Sequence, residues 1–138
     1  GQIVTGNTCK PFVAAQSGRV TASATVKTEI LRKTCTSLGG VIQVLANFAQ
    51  VSKADSGTYS DCAWELHHFS PGLSIGGGII AGDSYYANDS GELWRTAIGN
   101  FTGVYGLGDN FDVVLFITGD GSKRPNIGKS QFQILAFR

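Results

Sequence analysis

Apolar and polar residues alternate along most of this chain with a period of two, the mark of strands that bury one face. From Arg19 to Ile30, the residues Val20, Ala22, Ala24, Val26, Thr28 and Ile30 alternate with Arg19, Thr21, Ser23, Thr25, Lys27 and Glu29, which predicts one long half-buried strand. Val41–Val51 places Ile42, Val44, Ala46 and Phe48 on one side but also Val41, Leu45 and Ala49 on the other, so a helix is an alternative there, and the flanking glycines favour a strand. After the Asp55-Ser56-Gly57 turn signal, Tyr59–Phe69 reads as the returning strand of a hairpin. Leu73–Ala81 holds Gly76-Gly77-Gly78 in its middle, the composition of a bulge or a barrel corner. Leu93–Ile98 and Phe101–Tyr105 read as further strands and Gln131–Arg138 as the last, its end pinned in the sheet. Phe111–Thr118 is apolar on both sides and belongs at a sheet centre, covered above and below.

This pattern, with 19 glycines and no strong amphipathic helix, predicts an all-β chain: a compact antiparallel β-barrel or sandwich of about eight strands. Closure would remove exposed strand edges, which favours the barrel. The 138 residues, 42% of them hydrophobic, suit a single domain over 1–138, with 1–17 as a loosely packed N-terminal segment.

Eleven Lys and Arg against ten Asp and Glu leave a net charge of +1. No long-range field is available to draw in polyanions, so nucleic acid is not an expected partner. No apolar run approaches the roughly 18 residues of a membrane-spanning helix, and no signal-peptide layout opens the chain. Without a single Met, the sequence is expected to begin after a processing or cloning junction. Gly1-Gln2-Ile3-Val4-Thr5 fits the loose N-myristoylation pattern, a trimmed terminus being the plainer reading.

Cys9, Cys35 and Cys62 have no CxxC spacing, and three thiols are too few for an all-cysteine zinc site. The expected arrangement is one disulfide, with Cys9–Cys35 the first choice, in an exported protein. Gly119-Asp120-Gly121-Ser122-Lys123-Arg124 runs on to Gly128-Lys129-Ser130, a superficial phosphate-loop signature. Lys123 stands where that loop needs Gly and no helix follows, so neither nucleotide nor cofactor is expected; the stretch reads as a surface loop bearing Lys123, Arg124 and Lys129. His67 and His68 are adjacent and point to opposite faces of a strand, so they cannot share a metal. One packed and one at the surface is the plain expectation, and no catalytic or metal residue is assigned. Asp61, Glu65, Asp83, Glu92 and Asp112 lie in or near strands, where two of them brought together would serve glycoside hydrolysis. Asp109 and Asp120 lack calcium-loop spacing and read as turn residues.

Aromatic residues gather between Trp64 and Tyr105. Exposed rings beside Asp and Asn make sugar sites, which nominates Trp64, Tyr85, Tyr86, Trp94 and Asp83 for ligand binding, against a core role for the same rings. Asn88-Asp89-Ser90 and Asn100-Phe101-Thr102 match the N-glycosylation pattern.

Gly39-Gly40-Val41-Ile42, Gly76-Gly77-Gly78, Leu93-Trp94-Arg95-Thr96, Phe101–Tyr105 and Phe111–Thr118 with its Gly-Asp-Gly turn resemble the layout of virulence-associated (Vap-type) proteins secreted by an actinomycete pathogen of macrophages. That resemblance implies a compact antiparallel barrel with no recognised active site, acting at the host phagosome. The three cysteines and the missing Gly-rich C-terminal tail depart from it.

The leading expectation is therefore a secreted, monomeric, non-catalytic β-barrel acting through its surface on a host protein or membrane. A carbohydrate- or small-ligand-binding module is the alternative, with a glycan as partner, and a hydrolase of unfamiliar type comes third.

Overall fold

The computed structural model describes residues 8–89 and 91–138. The Gly1–Thr5 myristoylation pattern and Ser90 of the first glycosylation match lie outside these residues. The described chain has no helix and nine strands: β1 (Cys9–Gln16), β2 (Val20–Thr21), β3 (Thr28–Thr36), β4 (Ile42–Lys53), β5 (Cys62–Phe69), β6 (Gly78–Tyr85), β7 (Leu93–Phe101), β8 (Asn110–Thr118) and β9 (Pro125–Phe137).

Two antiparallel sheets form. One runs β1–β9–β4–β7, with β2 continuing the β1 edge along β9; the other runs β3–β8–β5–β6. With β1 and β2 counted as one interrupted strand, the eight strands pass between the sheets at every connection but the β5–β6 hairpin, in the double Greek-key order of a jelly roll. The fold class is thus all-β and the form is the sandwich, not the closed barrel: β6 and β7 flank the same seam without hydrogen bonding. Gly99 lets them approach, because a Cβ there would stand 2.9 Å from both Ala81 Cβ and Ile80 Cγ2.

Period-two burial builds the core. Ile42, Val44, Ala46 and Phe48 of β4 meet Phe132, Ile134 and Ala136 of β9 and Phe111, Val113, Leu115 and Ile117 of β8 in one buried cluster. The apolar run of β8 is buried on both faces. Its second face carries Val114 and Phe116, which pack with Phe69 in a smaller cluster beneath the β5–β6 segment, residues 70–77.

Several expectations are corrected. The alternation of Arg19–Ile30 does not form one strand. Ser23 Oγ accepts the backbone N–H groups of Thr25 and Val26, and Thr28 Oγ1 accepts that of Ser23. These local bonds compete with the ladder and turn the chain from one sheet into the other. Strands β4 and β5 lie in different sheets and form no hairpin. Gly76 and Gly77 precede β6, and Leu93–Phe101 is one strand. Residues Cys9–Gln16, inside the segment expected to pack loosely, pair with β9 from Cys9↔Phe137 to Gln16↔Ser130. Lys129 is part of β9, not of a surface loop.

Candidate functional site

The two outer faces of the sandwich differ in kind. Over β3–β8–β5–β6, residues 70–77 form a strap tied to an ion pair. Asp112, 1% exposed, accepts Arg32 Nη1 at 2.6 Å, the Gly72 N–H at 2.9 Å, and the Thr34 hydroxyl. Arg32 also donates to the Leu73 carbonyl, Ser74 Oγ and Glu29. Burial pushes the Asp112 carboxyl up, but the hydrogen bonds from Thr34, Gly72 and Arg32 outweigh it and hold the group below its ordinary value. Beside the strap, a cleft of about 370 Å³ is floored by His67, Phe69 and Phe116 and edged by Val26, Lys27 and Gly76. His67 Nε2 bonds Glu65 at 2.7 Å, and Lys27 Nζ stands 3.6 Å from the same carboxylate. This face is charged, and the strap covers part of it.

The histidines do diverge across β5, but both are largely covered. His68 is buried, bonds the Tyr105 hydroxyl through Nδ1 at 2.8 Å and stacks on Phe101 with centroids 4.7 Å apart. Burial, then the neighbouring His67, lowers its pKa. Neither ring is hydrogen-bonded to a serine or cysteine among the described residues. Burial pushes the Cys35 thiol up to about 12 and that of Cys62 to about 11, which makes both poor nucleophiles at neutral pH.

The expected disulfide is absent: all three cysteines are free thiols. Cys35 pairs with Phe111 at the start of β8, whereas the β5 pairing of Ala63 with Thr118 puts Cys62 beyond its end. A bridge needs Cα atoms within about 7 Å.

Turn aspartates are spent on the backbone. Asp120 accepts the N–H groups of Ser60, Ser122 and Lys123, and Asp109 that of Gly106. Among the described residues no three His, Cys, Asp or Glu side chains converge as a metal site.

The nominated aromatics separate. Trp64 is 8% exposed and Tyr85 7%, both in the main core, where Tyr85 packs edge-on against Phe48. They offer no face to a ligand. Asp83 is exposed on the edge strand β6, and Tyr86 is exposed just beyond it, its carbonyl accepting Arg95. Trp94 is 47% exposed on β7.

Trp94 belongs to a surface that sequence reasoning missed. Alternation aims Pro11, Val13 and Ala15 of β1 outward, with Gln131, Gln133, Leu135 and Phe137 of β9, Gln43, Leu45, Asn47 and Ala49 of β4, and Trp94, Thr96, Ile98 and Asn100 of β7. None carries a charge; Lys129 stands at the rim. The register lines up Val13, Gln133, Leu45 and Ile98 in one row and Pro11, Leu135, Gln43 and Asn100 in the next. Val13 is 65% exposed and Ile98 64%. A groove of about 300 Å³ crosses the face between Gln43, Leu45, Ile98, Asn100, Gln133 and Leu135. Another of about 220 Å³ lies where Trp94 meets Ala15, Lys129 and Gln131. Each segment alone shows only that its outward partners are mostly amides and hydroxyls; the surface arises when the order β1–β9–β4–β7 joins them.

The fold and this surface define a jelly-roll domain with one sheet face that is uncharged across its central rows. No family model and no curated protein matches the chain. Among solved structures, it is similar to VP2 in the subviral particle of infectious bursal disease virus, with TM-score 0.56 and 4% identity over 95% of this chain and 33% of that one. It is also similar to Eiger TNF from S. frugiperda, with TM-score 0.50 and 12% identity over 93% of each chain. The chain spans about a third of the length of the viral capsid proteins it matches. The C-terminal domain of EclA, a sugar-binding protein, aligns at TM-score 0.49 and 19% identity over 88% of this chain and 81% of its own. These identities speak to fold alone.

Proposed function

We propose that this chain is a non-catalytic recognition domain whose working surface is the outer face of the β1–β9–β4–β7 sheet. The observation that carries the reading is the absence of charge from the central outward rows of four neighbouring strands, with Lys129 at one end of β9 on their rim, in a chain with 21 charged residues. A solvated sheet face normally alternates apolar-in with polar-out residues, whereas this one sets Val13 and Ile98, both exposed to more than half, among its uncharged amides and hydroxyls. Such a face suits a partner that is itself uncharged and flat. The resemblance to secreted proteins without a recognised active site supports a surface-acting role.

Hydroxyl-radical footprinting tests it. Leu45, Trp94 and Ile98 are expected to be oxidised several-fold more slowly in the protein's native assembly than in the dilute isolated chain, while exposed Leu73 and Ile75 react alike in both. Equal reactivity of the two sets would remove the reading.

A carbohydrate partner is the second reading, and Trp94 favours it: a half-exposed indole beside the Gln131 amide and Lys129 joins a stacking surface to hydrogen-bonding groups. On a glycan array, the chain would then bind a neutral sugar, and Trp94→Ala would weaken that signal about tenfold or more. An array without hits rejects this reading.

A further inference from the structure

Resting on that reading of the face, we infer that its partner is a second copy of this chain, so that the working form is a homo-oligomer in place of the expected monomer. Self-complementarity is the first ground. Where identical faces meet, a carboxylate or ammonium near the symmetry axis confronts its own like charge, whereas Gln and Asn amides both donate and accept and so pair with their own copies. The groove residues Gln43, Asn100 and Gln133 are all of this kind: Gln133 sits between Val13 and Leu45 in the row that ends at Ile98, and Gln43 and Asn100 lie in the next row.

Size is the second ground. With strands about 4.8 Å apart and about 3.4 Å per residue, four strands over the length of Gln43–Ala49 present a rectangle of roughly 20 by 24 Å. That is about 480 Å² in projection on each copy, the size of a small, concentration-dependent interface. The opposite outer face, capped by the strap and carrying Lys27, Glu29, Arg32 and Glu65, has neither property.

Light scattering after size exclusion, from about 1 to 100 μM, is the test. The wild-type mass is expected at a multiple of 14.5 kDa. Ile98→Lys and Gln133→Lys, both at exposed positions, should each weaken association about a hundredfold and shift the mass to the monomer. Ser84→Lys on β6 should change nothing. Circular dichroism of each variant identifies any that misfolds, and the other then decides. A wild-type chain monomeric at the highest concentration overturns the inference, as does an oligomer that survives both lysines. A monomeric isolated chain whose face is still protected in the native assembly would remove the second copy and leave the recognition face standing.

Discussion

Asp112→Ala is expected to cost about 3–5 kcal/mol of folding stability, the range for breaking a buried ion pair from one side, and to free the strap over the β3–β8–β5–β6 sheet. The carboxylate is the single acceptor joining Arg32, Thr34 and the Gly72 N–H. Without it, the Thr34 hydroxyl loses its acceptor and the backbone of residue 72 loses its tether. Arg32 keeps Glu29, Leu73 and Ser74, so the loss is expected towards the lower end of that range. Against a total stability of about 5–15 kcal/mol, even that is a large fraction. Urea denaturation reads the cost, and limited chymotrypsin digestion reads the strap, because exposed Leu73 should become the first cut. Asp112→Asn, which keeps an acceptor but loses the charge, should fall between variant and wild type. The folded carboxyl sits below its ordinary value, so its contribution is complete above about pH 4 and lost as pH falls through the lower folded value. The alanine variant should therefore lose less stability in acid than the wild type. An unchanged denaturation midpoint would show the strap to be held by the Phe69–Val114–Phe116 cluster alone.

That cluster explains part of what was legible beforehand. Phe111–Thr118 is apolar at every second position on both sides, so a central strand covered on each face followed from the residues alone. Strand β5 and the end of β9 were equally plain, because each alternates over a long stretch, whereas the β4 stretch, apolar on its other side too at Val41, Leu45 and Ala49, left a helix open until its flanking glycines were weighed. The β2–β3 corner was not, since its alternation is intact and only the Ser23 and Thr28 hydroxyls, acting on nearby backbone, break the ladder. Aromatic identity misled in a similar way. Trp64 and Trp94 each sit in an alternating segment, and nothing in either segment alone says which side is inside. The charge-free face was illegible for a different reason: its four stretches are far apart in sequence and become one surface only through the order β1–β9–β4–β7. An exposed Ile98 beside Thr96 and Asn100 looks ordinary within β7. Aligned with Leu45, Gln133 and Val13, it is one end of an uncharged row that crosses the whole sheet.

Gly119→Ala is expected to cost about 3 kcal/mol or slightly more. The residue is buried just after β8, with its N–H donating to the Ser23 carbonyl at 2.7 Å. A Cβ there would lie 2.1 Å from the Lys123 carbonyl oxygen and 2.7 Å from Ala24 Cα. Both obstacles are backbone, so neither can yield by changing rotamer. They are also fixed from beyond: Gly121 N–H donates to the Ala24 carbonyl, and Asp120 gathers the N–H groups of Ser60, Ser122 and Lys123. Gly121→Ala is the natural contrast, because its φ of 97° strains an alanine while no atom lies within 4 Å of the added methyl. That variant should cost about 1 kcal/mol, so the difference in urea midpoint isolates the clash from the backbone strain. Equal costs would mean that the β8–β9 turn shifts as a unit and that its contact with the β2–β3 corner is loose. If the contact is tight, Gly119 also guards the recognition face, since this turn delivers β9 between β1 and β4 and thereby aligns Gln133 with Val13 and Leu45.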